Sequence, residues 1–500
     1  MTGKKNSTDK TAIEKLLSVS REITALRNIE ALLHWDQEVY MPPGGAGDRA
    51  NQLAALNRII HQKETLPEIN DLLKEADDNH NSLSEKDRAL VRVMRREYDQ
   101  NTKLPEEFVT EFSRLTSQAI QSWVTARKNA DFQEFQPSLE KIVDMNLQKA
   151  EYLGYDDHPY DAMLDLYEEG LKTSEVAQVF ESIKTPLMAI IQKCSQKECK
   201  AFSFEKPFDQ NEQDRFSKRV LKKIGYDFDK GREDRAPHPF TISIGHGDRR
   251  VTNRFRSDNV EFLFSAFHEG GHALYEQGID DSIAGLHLDT GVSLGIHESQ
   301  SRLWENMVGR SYAFWKGFYP ELQKAFPDHF TSISADEFIS CINQVKPDLI
   351  RVEADEVTYN FHVLIRFELE TALLEKSVVP KDLPELWNQK YKEYLGVDVP
   401  DDANGVLQDI HWSHGSIGYF PTYTLGNIYS AQIWDTYQKV NPDYRQTLEN
   451  GDLSVIREWL TENIYRYGAI YPPKELLKKV TGQDLNAEYL INHLEKKYGS

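Results

Sequence analysis

Five hundred residues exceed one typical domain, although one elongated helical core can bury a chain of this length. Apolar residues make up 39% and charged residues 28%, the balance of a globular chain in water. The formal net charge of −21 argues against a nucleic-acid partner, because a phosphate-binding surface needs clustered Lys and Arg. Residues 1–10 are polar and lack an apolar h-region, so no secretory signal is expected. No apolar run approaches the ~20 residues that span a bilayer. Cys194, Cys199 and Cys341 show neither CxxC spacing nor a disulfide framework and are expected to be reduced bystanders of a cytoplasmic chain.

Helical periodicity dominates the first two hundred residues. Ile13, Leu16, Leu17, Ile23, Leu26, Ile29 and Leu33 recur at helical spacing toward Trp35, and the stretch Tyr40-Met41-Pro42-Pro43-Gly44-Gly45 ends the run. Further amphipathic segments are predicted at 49–76, 84–101, 105–129 and 138–153, with Ser84 and Asp87 as a capping box and Pro105 in a first turn. Residues 173–193 and 209–224 read as two more helices. Then 237–244 alternates like a strand, Gly245-His246-Gly247-Asp248 suits a turn, and 249–255 returns as a second strand. A helix over 261–277 follows at once. Helices resume after residue 300, with breaks predicted near Pro320, Pro347, Pro380 and Pro400. The fold class is therefore mainly α with one small β-hairpin. No repeat or low-complexity linker divides the chain, so residues 1–500 form a single unit.

The helix 261–277 contains Phe267-His268-Glu269-Gly270-Gly271-His272-Ala273, an HExxH motif. Positions four apart share a helix face, so His268 and His272 can present ring nitrogens to one metal ion, and Glu269 can take a proton from a metal-bound water. A catalytic zinc site takes three protein ligands and keeps an open position. Glu298, in His297-Glu298-Ser299-Gln300 on a helical stretch 297–310, leads as the third ligand; His287, Asp289 and His297 compete. Gly285, Gly291 and Gly295 in the intervening loop let the second helix fold back. Gly270 and Gly271 leave room either for substrate or for close helix packing. The preceding hairpin is either structural or an edge that aligns an extended peptide by backbone hydrogen bonds.

Downstream, Ile350-Arg351-Val352-Glu353-Ala354-Asp355 is predicted to open a helix over 349–374. Arg351 and Asp355 then share a face, either as an ordinary ion pair or with Asp355 aiming a guanidinium at a substrate carboxylate. The stretches 405–412 and 418–423 are rich in hydrogen-bonding side chains. A His or Tyr there can stabilise an oxyanion, or the loop can simply satisfy its own polar groups.

These motifs in this order resemble the carboxypeptidase Taq family of metallocarboxypeptidases. The set comprises His238-Pro239-Phe240, Asp248-Arg249-Arg250-Val251-Thr252, the HEGGH stretch, His297 to Gln300, Ile350 to Asp355 and Gly405 to Trp412. A block from Leu33-His34-Trp35-Asp36 through Met41-Pro42, Arg49-Ala50 and Gln52 adds to it. The resemblance implies a large helical metallopeptidase with a deep substrate groove, similar to neurolysin and angiotensin-converting enzyme. It implies N-terminal helices (1–135) over the groove and a catalytic core (136–500). It further implies a homodimer, one divalent metal per chain (zinc or cobalt), and release of single C-terminal residues from peptides with broad specificity. By resemblance His268, His272 and Glu298 are metal ligands, Glu269 is the general base, and Arg351 holds the terminal carboxylate. His238, His411, Tyr419 and Tyr423 belong to the substrate wall. The alternatives are an oligopeptidase or dipeptidyl-carboxypeptidase with the same metal site, or a non-catalytic helical peptide-binding protein with a structural metal.

Overall fold

Thr11 starts the first helix, Ala12–Val39, by accepting from the Glu14 amide while the Glu14 carboxylate accepts from the Thr11 amide. This computed structural model describes residues 11–194 and 206–499. The predicted segment 49–76 is two helices, Ala46–Glu64 and Pro67–Asp78, because Pro67 suits the first position of a new helix. Ser84 caps Glu85–Lys103 by accepting from the Asp87 amide, but the Asp87 carboxylate takes the Ser84 hydroxyl and not its amide. Pro105 sits just outside Glu106–Asn129, as its cap.

The inner half of the first helix buries Leu16 and Ile23 against Ile69, Leu73, Leu90 and Met94. Ile279, Ile283 and Leu288 complete this smaller core. A second, much larger core runs through the rest of the described residues. In the outer half of the helix Ile29 stays exposed despite its helical spacing. Trp35 docks this half on the sheet, with the Arg250 guanidinium 4.1 Å from its ring centroid. Arg49 closes the turn by donating to Asp36 at 2.6 Å.

Three short strands form one sheet in the order β1-β3-β2: β1 is Glu233–Arg235, β2 Thr241–Gly245 and β3 Asp248–Asn253. β2 and β3 are the expected hairpin, paired antiparallel; β1 was not expected and lies parallel to β3. β2 is left at the edge. Its alternating residues Thr241 and Ser243 reach the next helix, Glu261–Gln277, at Glu269 and Glu276.

Two further predicted boundaries are corrected. Pro320 does not break a helix but lies within Tyr312–Ala325, which buried Phe314, Trp315, Phe318 and Leu322 hold against the core. The helix predicted over 349–374 is a short 3-10 turn, Arg351–Glu353, followed by Tyr359–Leu374. Asp355 divides them. Its carboxylate accepts from the Val357 and Thr358 amides at 2.9 and 3.0 Å and from the Thr358 hydroxyl at 2.7 Å. Arg351 and Asp355 therefore do not share a helix face. Among the described residues no helix is long and apolar enough to cross a membrane. Cys194 donates its thiol to the Tyr498 carbonyl, Cys341 is half-buried, and Cys199 lies outside the described residues.

Candidate metal centre

His268 and His272 sit one turn apart on Glu261–Gln277, and Glu298 faces them from Leu294–Arg302. Glycines set the approach of these elements. A Cβ on Gly271 would lie 2.6 Å from the Gln300 carbonyl oxygen, one on Gly270 2.5 Å from Ile224, and one on Gly426 2.5 Å from Glu298 Cγ. Gly270 and Gly271 thus serve helix packing. The ligand atoms of His268, His272 and Glu298 all lie within 4.8 Å of one another. The two Nε2 atoms are 3.6 and 3.4 Å from the same carboxylate oxygen, Glu298 Oε2.

The remaining polar atoms are occupied elsewhere. Arg302 Nε donates to Glu298 Oε1 at 2.7 Å, while Oε2, which accepts from the Ser301 hydroxyl at 3.0 Å, faces the histidines. Leu294–Arg302 widens into a π-helical stretch, Leu303–Gly309, whose Glu305 accepts from His268 Nδ1 at 3.0 Å. Burial opposes charge on Glu298, yet Arg302 and His268 outweigh it and hold the carboxyl well below its usual range. Burial lowers His272 to about 4. At His268 burial also lowers, but Glu298 and Glu305 more than offset it and raise the imidazole. Negative charge and two free Nε2 atoms thus converge on one point, and the donor set fits a divalent cation. Glu269 is buried beside this point and accepts from the Thr241 hydroxyl at 2.7 Å. Burial pushes its carboxyl up, against the pull of His268 and Thr241.

Arg351 lies in an adjoining wall. Its Nε and Nη2 donate to Asp409 Oδ1 at 3.1 and 2.8 Å, and its Nη1 to the Tyr359 hydroxyl at 2.9 Å. Further N–H groups remain on the two terminal nitrogens. Arg366 holds the other Asp409 oxygen at 2.7 Å. The Tyr423 ring centroid is 4.9 Å from the Arg351 guanidinium carbon, and the Tyr423 hydroxyl is 3.4 Å from His411 Nε2. Tyr419 packs edge-on to Tyr423. Burial lowers His411 to about 4. Tyr359 joins the two walls: its ring also lies under Arg302, at 4.6 Å.

The family model for the Carboxypeptidase Taq (M32) metallopeptidase matches residues 15–498. The chain belongs to this family. It is 40% identical to Thermostable carboxypeptidase 1 of Pyrococcus furiosus, over 97% of this chain and 98% of that one. It is 38% identical to Carboxypeptidase 1 of Bacillus subtilis, again over 97% and 98% of the two chains. The M32 carboxypeptidase from Deinococcus radiodurans superposes with a TM-score of 0.95 at 38% identity, covering 98% of this chain and 99% of that one. The protein is a metallocarboxypeptidase.

In this M32 carboxypeptidase the competing third ligands have other partners. His287 lies between Ser20 Oγ at 2.7 Å and Glu97 at 3.3 Å. Asp289 accepts from Arg249 at 2.6 Å, and His246 Nδ1 is 3.0 Å away. His297 lies between His272 and Glu276. His238 is exposed, and its carbonyl faces the Thr252 hydroxyl. Sequence reasoning missed Arg302, Glu305, Glu276, Tyr359 and Arg366, and left Asp409 without a role. Arg302 and Glu276 were within reach, each four residues beyond a candidate ligand on one helix. Asp409 and Arg366 stand 43 positions apart and carry no such signal.

Proposed function

We propose that this carboxypeptidase removes single C-terminal residues from peptides with broad specificity, with His268, His272 and Glu298 holding zinc and Glu269 as the general base. Cobalt suits the same two imidazoles and one carboxylate. The observation that carries the reading is the convergence of three ligand atoms beside a buried carboxylate, with a guanidinium in the next wall. A divalent cation held by these residues would polarise the scissile carbonyl and lower the pKa of water. Glu269 accepts the proton of the attacking water and delivers it to the departing amine, a role favoured by a carboxyl raised by burial. The remaining N–H groups of Arg351 take the terminal carboxylate, and Asp409 aims them. His411, Tyr419 and Tyr423 line the same wall, where a hydroxyl can donate to the developing oxyanion. The edge strand β2 offers backbone groups that align an extended peptide toward Glu269.

A peptide with a free C-terminus and its amidated twin test the reading, with products followed by mass spectrometry. Stepwise loss of single residues from the free peptide, with the amide resistant, is expected. Release of dipeptides or equal cleavage of the twin would replace single-residue removal with an oligopeptidase activity.

A further inference from the structure

His272 Nδ1 and His297 Nδ1 stand 2.6 Å apart. Two ring nitrogens at that distance share one proton. A neutral imidazole that gives its Nε2 lone pair to a cation keeps its proton on Nδ1. His272 is then the donor and His297 Nδ1 the acceptor. The proton of His297 consequently sits on Nε2, 2.9 Å from Glu276 Oε1. Glu276 ends the chain and is itself fixed. It accepts from the Gly291 amide and the Ser243 hydroxyl, each at 2.9 Å, and lies 3.6 Å from Arg249.

We propose that His297 and Glu276 are positioning residues that set the tautomer and the aim of His272, and through them the metal affinity of the site. The proposal rests on the ligand assignment above. Glu276 lies one turn beyond His272 on the same helix, while His297 comes from the helix of Glu298. The relay thus closes a ring across both ligand-bearing helices. His297 has no room to turn aside: its ring packs on Tyr275 at 5.2 Å, and a Cβ on Gly291 would lie 2.6 Å from its Cδ2. His268 is supported differently, directly by Glu305, which Arg310 and Arg302 also contact at 3.1 and 3.4 Å. One ligand is backed by a carboxylate, the other by an imidazole with its carboxylate one ring away.

Zinc affinity of the full chain, measured by competition with a chromophoric chelator, tests the relay. Gln at 297 can keep the Glu276 contact but offers nothing at the former Nδ1; Asn can place an acceptor there. His297→Gln is expected to weaken zinc binding about 10- to 100-fold, with His297→Asn and Glu276→Gln losing less. His272→Ala is the control. If it leaves affinity unchanged, the ligand assignment fails, whatever the other variants do. If it abolishes binding while His297→Gln and Glu276→Gln stay within about twofold of the parent, the relay alone is overturned. Equal losses for Asn and Gln, in step with the melting temperature of the metal-free chain, would reduce His297 to packing and overturn it too. Nitrogen-15 histidine spectra of the zinc-loaded parent need no variant. A His297 proton on Nε2 is expected, and one on Nδ1 or on both nitrogens refutes the relay.

Discussion

His268, His272 and Glu298 stand on two facing helices, whereas Arg351 stands on a short turn beside a loop carboxylate. In the metal wall, four-residue spacing presents the histidines, and contacts at Gly271 and Gly426 set the distance to Glu298. The Arg351 wall is assembled from more scattered elements. Arg351 stands on a 3-10 turn, Asp409 on a loop, Arg366 on Tyr359–Leu374 and Tyr423 on Pro421–Val440. Buried charge joins these pieces. Asp409 lies between two guanidiniums, and Glu370 gathers the Trp412 indole at 2.8 Å, the Tyr160 hydroxyl at 2.6 Å and the Gly418 amide at 3.1 Å. One wall is set by helical spacing, the other by buried carboxyl groups that are costly to leave without partners.

If the walls are separable, substitutions should damage chemistry, substrate capture and metal binding independently. Glu269→Gln gives the largest expected loss, about 10²- to 10⁴-fold in kcat, with metal stoichiometry unchanged by elemental analysis. Its carboxylate contacts Thr241 and stands outside the converging trio. Activity near the parent level would remove Glu269 as base, and a metal-free variant would show that it supports the ligands as well. Arg351→Ala is expected to lower kcat/KM about 10- to 100-fold on peptides with free C-termini, the size of a lost charge-assisted hydrogen bond. Asp409 keeps Arg366 in that variant, so it is not stranded. Metal loss on Arg351→Ala would break the comparison.

The same contrast explains what was legible in the sequence. His268 and His272 could be paired because helical spacing turns a local pattern into a shared face, whereas Glu298, on another helix, led a field of candidates and was assigned by family resemblance. The hairpin before them announced itself by alternation and a turn, but β1 is three residues long and carries no pattern of its own. Arg351 was found, yet given the wrong partner. An i,i+4 rule paired it with Asp355, whose carboxylate instead caps the following helix. Its actual partner, Asp409, lies 58 positions away, and no local rule reaches that far. The first helix shows the converse failure: Ile29 has core spacing yet stays exposed.

Tyr359→Phe is the smallest and sharpest of these tests. Its hydroxyl accepts from Arg351 Nη1 at 2.9 Å, while its ring lies under Arg302, which holds the Glu298 oxygen turned away from the histidines. Phenylalanine keeps the ring and deletes the acceptor. Arg351 then loses its Nη1 hydrogen bond and keeps those to Asp409, so KM is expected to rise roughly 3- to 10-fold, about one hydrogen bond, with kcat and zinc affinity unchanged. That split would confine the hydroxyl to substrate capture and leave the ring as a passive spacer between two guanidiniums. A fall in zinc affinity instead would mean that Arg351 reaches Arg302 and Glu298 through Tyr359. The walls would then be one mechanical unit, in which substrate capture and metal binding change together.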